Sequence, residues 1–134
     1  MSEHFSLREL TRSDYAIRHG LPNEPMPRIV ENIEQVLMPG LERVRALLGH
    51  PMHVTSGFRS QIVNDAVGGS ATSQHRYGLA ADFHCPGFGG AKEIVAAIAA
   101  SDIPFDQLIE EYGEWTHVSF VRREPRRQIL YFKR

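Results

Sequence analysis

From Pro27 onward, apolar side chains at Ile29, Val30, Ile33, Val36 and Leu37, then Leu41, Val44, Leu47 and Leu48, recur at the spacing of an amphipathic helix. Pro39-Gly40 predicts a kink or split in it, because proline lacks an N–H and its ring crowds the preceding turn; Gly49 predicts its end. Ser6, with Glu9 three residues on, predicts a capped helical turn over residues 5–10. Residues 13–26 are polar and rich in Pro and Gly, and read as loop. Short helices are predicted over residues 61–67, stopped by Gly68-Gly69, and over the Ala-rich residues 91–101. Strands are predicted over residues 52–55, 79–83, 107–111, 115–122 and 128–132, the last three with tight connections. Helices first and an antiparallel meander last predict an α+β fold. The expectation is a single domain over residues 1–134, with N-terminal helices packed on a small, mainly antiparallel sheet.

Composition narrows the function classes. The chain has 134 residues, 42% hydrophobic and 23% charged, enough for one domain with a real core. A formal net charge of -1 gives no global field to recruit nucleic acid or anionic lipid. The basic residues Arg122, Arg123, Arg126, Arg127, Lys133 and Arg134 are interrupted by Glu124 and Pro125 and read as a solvated strand edge. One cysteine, Cys85, excludes an intrachain disulfide. The opening residues lack the basic and apolar regions of a secretory signal. No apolar run approaches the roughly 20 residues of a membrane helix, so no membrane insertion is expected. The expectation is a soluble monomer made in the cytoplasm.

The densest unusual chemistry is Ser73-Gln74-His75-Arg76-Tyr77-Gly78-Leu79-Ala80-Ala81-Asp82, followed on a later strand by Trp115-Thr116-His117. A catalytic zinc site takes three protein ligands from imidazole and carboxylate groups and leaves a position for water. His75, Asp82 and His117 supply that set if the fold closes them together. Taken singly, each is as well explained as an ordinary polar side chain; His4, His19, His50, His53 and His84 need no metal.

Ser-x-His-x-x-Gly-x-Ala-x-Asp (Ser73 to Asp82) followed by Trp-x-His (Trp115 to His117) resembles the zinc D-Ala-D-Ala carboxypeptidase family, and its small phage-type branch in particular. That group also contains lysostaphin-type peptidases and the hedgehog signalling domain. Ser56-Gly57-Phe58-Arg59-Ser60, Val67-Gly68-Gly69-Ser70 and Phe105-Asp106-Gln107-Leu108-Ile109 extend the similarity over roughly residues 5–121. The resemblance implies a hedgehog/D-Ala-D-Ala peptidase-like fold and one Zn²⁺ per chain on His75, Asp82 and His117. Arg59 would bind a carboxylate or carbonyl of the substrate through its planar fork; Ser73 would bind substrate or brace its loop. The implied activity is cleavage of a peptidoglycan stem peptide, as a D-Ala-D-Ala carboxypeptidase or an L-Ala-D-Glu-type endopeptidase. The implied setting is the cell wall, reached by phage-type release.

Two glutamates compete as general base. Many family members carry an acidic residue three before the last histidine, here Glu114; the phage-type branch carries it six before, here Glu111. If Tyr112-Gly113-Glu114 closes a hairpin, Glu111 pairs with Trp115 and shares a face with His117, while Glu114 sits at the tip; this favours Glu111. A zinc-stabilised, non-catalytic cell-wall-binding or phage structural module is the alternative function. A plausible base at either position favours the enzyme.

Overall fold

The structure, a computed structural model, describes residues 2–133. Two short helices come first, α1 (Leu7–Thr11) and α2 (Asp14–His19). Each starts on a serine whose hydroxyl accepts a backbone N–H three residues on, Ser6 from Glu9 and Ser13 from Ala16. The second lies within the stretch expected to be loop. Ser13 caps it and Gly20 ends it in the left-handed conformation, start and stop signals that outweigh the polar composition between them.

The long helix runs through α3 (Pro27–Asn32), a π-helical turn (Ile33–Leu37) and α4 (Met38–Leu48), and Gly49 closes it. It does not break at Pro39. The backbone from Asn32 to Met38 stays right-handed helical throughout. The wider π turn stands immediately ahead of Pro39, where the ring would otherwise press on the preceding turn. Gly40 has a different reason to be small: a Cβ there would meet the ring of buried Phe120.

Five strands follow: β1 (His53–Ser56), β2 (Ala80–His84), β3 (Gln107–Glu111), β4 (Trp115–Ser119) and β5 (Gln128–Phe132). The helices α5 (Gln61–Ala66) and α6 (Ala91–Ala99) and a 3-10 turn (Gln74–Tyr77) are interposed. The sheet order is β1-β2-β4-β3-β5. All neighbours are antiparallel except β3 and β5, which are parallel. The fold is therefore α+β with a mostly antiparallel sheet, as expected, but its end is not a meander.

The cause lies in the connector between β4 and β5. Asp106, fully buried just before β3, accepts from Arg126 N at 3.0 Å and from its guanidinium, with Nη2–Oδ2 at 2.6 Å. Gln128 N donates to the Asp106 carbonyl at 2.9 Å. A buried carboxylate needs such partners, and satisfying it carries the chain around the start of β3 to run beside it. Arg127 donates to the carbonyls of Ala99 and Ser101 at 3.2 Å each, where α6 ends. The basic segment is thus a clasp over residues 122–127, not a solvated strand edge. Arg134 lies outside the described residues.

Alternation divides the sheet into two faces. Ala81, Phe83, Leu108 and Val118 belong to the core with Leu41 and Val44 of α4 and Ile94, Val95 and Ile98 of α6. Each large side chain fully buried there contributes about 1.5–3 kcal/mol. The opposite face, carrying Asp82, Ile109, Glu111 and His117, opens onto a cavity. No helix among the described residues is long and apolar enough to cross a membrane.

Candidate metal centre and active site

Asp82 on β2 stands directly opposite His117 on β4. Paired residues on antiparallel strands point to the same side, so carboxylate and imidazole meet on the open face. His117 Nδ1 lies 2.9 Å from Asp82 Oδ1. His75 arrives from the 3-10 turn that precedes β2, with its Nε2 3.3 Å from the same oxygen. Ligand atoms of the three residues lie within 4.8 Å of one another and all three residues are buried; no other such group occurs among the described residues. The fold thus closes the three residues singled out in the sequence onto one point.

The donor set fits a cation better than a hydrogen-bond network. His75 Nδ1 lies 2.8 Å from the Gly57 carbonyl, which can only accept, so Nδ1 carries the ring proton. Burial pushes the His75 pKa below its ordinary value despite the charge of Asp82, and the ring is neutral. Its Nε2 therefore turns a lone pair toward a carboxylate oxygen. Two acceptors facing each other repel unless a positive ion lies between them. A tetrahedral ion with bonds of roughly 2.0–2.1 Å has ligand–ligand edges of about 3.3 Å, close to the 3.3 and 2.9 Å separations here. His117 presents Nδ1 to the same Asp82 oxygen, and its Nε2 is buried without a hydrogen-bond partner.

Burial would raise the Asp82 pKa, but the hydrogen bond to the His117 ring outweighs it and holds the carboxyl below the usual carboxylate range. An ionised aspartate with a neutral histidine is the state that metal binding requires. The other Asp82 oxygen, Oδ2, lies 3.4 Å from Arg59 Nη2. Arg59 is fixed further by Ser56 Oγ at 3.1 Å and by Oδ1 of buried Asn64 at 3.4 Å. Its guanidinium lines the cavity beside the metal cluster. Ser73 Oγ accepts the His75 N–H at 3.3 Å, bracing the 3-10 turn, and Ser73 also lines the cavity.

The two glutamates separate cleanly. Glu111 pairs with Trp115 and Ile109 with His117, the register expected for a hairpin closed by Tyr112-Gly113-Glu114. Glu111 lines the cavity of about 570 Å³ that also holds His75, Asp82 and His117. Its carboxylate accepts the Trp115 indole N–H. Burial, reinforced by the Asp82 charge, pushes its pKa above the ordinary value. Glu114 lies exposed on the turn and lines a different pocket, with Phe83, Cys85 and Thr116. Trp115 is only half-buried and serves Glu111; Phe120 is a core residue. Cys85 is a buried thiol outside the metal group.

Several contributors escaped the sequence reading. The Gly57 carbonyl orients His75, and a Cβ at Gly57 would collide with the Leu10 carbonyl oxygen. Asn64 supports Arg59, while Gln74, Arg123, Arg126 and Phe132 complete the cavity wall. Gly57, Asn64 and Gln74 lie within or close to the motifs quoted above; Arg123 and Arg126 stood out only as a basic cluster, and nothing in residue type marked Phe132. No curated protein matches the chain. The family model for Peptidase M15 matches residues 3–119, most of the chain, and takes in His75, Asp82, Glu111 and His117. On that match the chain belongs to the Peptidase M15 family of metal-dependent peptidases, the zinc D-Ala-D-Ala carboxypeptidase type.

Proposed function

We propose that the protein is a zinc-dependent peptidase that hydrolyses a D-amino-acid-containing bond in peptidoglycan stem peptides. The observation that carries this reading is the convergence of His75, Asp82 and His117, with Glu111 on the wall of the same cavity. Two imidazoles and one carboxylate suit zinc and leave a corner for water. Bound there, zinc would lower the pKa of that water and polarise the scissile carbonyl.

The chain's own groups supply the rest. Glu111, its pKa raised by burial and by Asp82, accepts the proton of the attacking water and delivers it to the leaving amine. The Trp115 indole holds the carboxylate in place for that transfer. Arg59, anchored by Ser56, Asn64 and Asp82, presents its fork to a substrate carboxylate or carbonyl. Ser73 fixes the turn that carries His75. No serine or cysteine nucleophile is needed.

Digestion of purified peptidoglycan with and without a chelator tests the reading, with products identified by mass. New termini should form only without chelator, and zinc should restore them afterwards. Free D-Ala identifies a carboxypeptidase; stem peptides released with a new N-terminus identify an endopeptidase. A metal-loaded protein that binds peptidoglycan but liberates no amino or carboxyl groups would instead be a non-catalytic module.

A further inference from the structure

We infer that Arg123 and Arg126 form a second substrate subsite, which takes a carboxylate of the peptide about three residues from the level of the metal cluster. The inference rests on the peptidase reading and extends it along the cleft.

Both arginines line the cavity that contains His75, Asp82, His117 and Glu111, yet they lie in the connector beyond the residues matched to the family. They surround Asp106, but unequally. Arg126 grips both oxygens of the buried carboxylate, Nε at 3.1 Å from each and Nη2 at 2.6 Å from Oδ2. Gln74 Nε2 adds a bond to Oδ2 at 2.9 Å. Asp106 is thus neutralised and hydrogen-bonded without Arg123, whose single contact to Oδ1 is long, at 3.4 Å. The Arg123 side chain is 60% exposed. Two guanidiniums against one carboxylate leave one positive charge at this end of the cleft. Its planar fork can turn toward an anion with little loss at Asp106.

Gln74, whose amide N–H is spent on Asp106, lines the same cavity and leaves Arg123 as its free cationic group at this end, among the described residues. The distance follows from register. Asp106 immediately precedes β3, and three residues along that strand Ile109 stands opposite His117. At roughly 3.3 Å per residue, the arginines lie about 10 Å from the level of the metal cluster, three residues of an extended peptide. Arg59 serves the metal end of the cleft; Arg123 would read a second acidic group at the far end.

The test compares a stem peptide bearing free carboxylates with the same peptide amidated only at the carboxylate farthest from the cut bond. The zinc-loaded enzyme should favour the acid roughly fivefold to tenfold in kcat/KM, through KM, the size of one charge-assisted hydrogen bond at a partly exposed site. Arg123→Ala should bring that ratio toward one, Arg123→Glu should invert it, and Arg123→Lys should keep part of it. A ratio unchanged in both the Ala and Glu variants, or already one in the unaltered enzyme, overturns the subsite. Calorimetric titration of the same two peptides reads the subsite without turnover. If neither peptide is cut, the peptidase reading fails. Selective acid binding that Arg123→Ala abolishes would then still support the subsite, and equal binding of the two peptides would refute it.

Discussion

Asp82 divides its work between its two oxygens. Oδ1 faces both histidines, at 3.3 and 2.9 Å, and Oδ2 faces Arg59 at 3.4 Å. One carboxylate therefore ties the two histidines to Arg59. His75, Asp82 and His117 were legible as a joint set because imidazole and carboxylate at that spacing are chemically unusual; Arg59 was legible only through the family motif. The supporting groups were not, because a backbone carbonyl such as that of Gly57 carries no residue-type signal. The base gives the sharpest test at this scale. Glu111→Gln should keep its bound metal but lose about 100-fold or more in kcat, while Glu114→Gln, altered on the exposed turn, should stay within a few-fold of the unaltered enzyme. Metal content by mass spectrometry alongside turnover of a stem peptide measures both. The opposite ranking would move the base to Glu114.

Among the elements, hairpin and helix behaved differently from the last strand. The β3–β4 register followed from one assumption about turn length, because strand alternation leaves little choice once the turn is set. The long helix was legible in its apolar periodicity, while the effect of Pro39 was not, since the π turn that accommodates it leaves no mark in the hydrophobic pattern. The placement of β5 depended on a buried acid finding cations across the connector, a tertiary demand that local patterning does not encode. Gly40 tests the helix–sheet contact. Alanine is the better helix former by about 1 kcal/mol, but its methyl group would press into the Phe120 ring, and overpacking costs about 1–3 kcal/mol. Because that ring is buried and hemmed in, Gly40→Ala should come out destabilised in a denaturant titration. An unchanged or higher midpoint would show that Phe120 moves aside freely.

For the molecule as a whole, acid should act through Asp82 in the cleft and through two carboxylates outside the ligand group, Asp106 and Glu42. Burial alone would raise all three. The Arg126 clasp, helped by Gln74, outweighs it at Asp106, and at Glu42 bonds from Ser2 and His4 bring the value down to about 2. Groups with depressed folded values lend their stability in full above the unfolded range. They lose it as pH falls through the folded values. Stability should therefore hold at neutral pH and decline from about pH 4 toward pH 2. Asp106→Asn should flatten that decline while lowering stability at pH 7, as chemical denaturation at stepped pH would record. An acid slope unaltered by the substitution would assign the decline to other groups.

The hydrogen bond from Phe58 N to the Leu10 carbonyl, 2.7 Å long, lies beside the Gly57 carbonyl that orients His75. Helix α1 is too brief to be stable by itself, yet through this one peptide junction it steadies an imidazole from a distant part of the chain. The earliest turn of the polypeptide and the affinity for the ion are consequently coupled. Whatever frays the first helix would blur the aim of that ring, and an ion held there would in turn pin the helix, so metal binding would report on the integrity of a segment the ion does not touch.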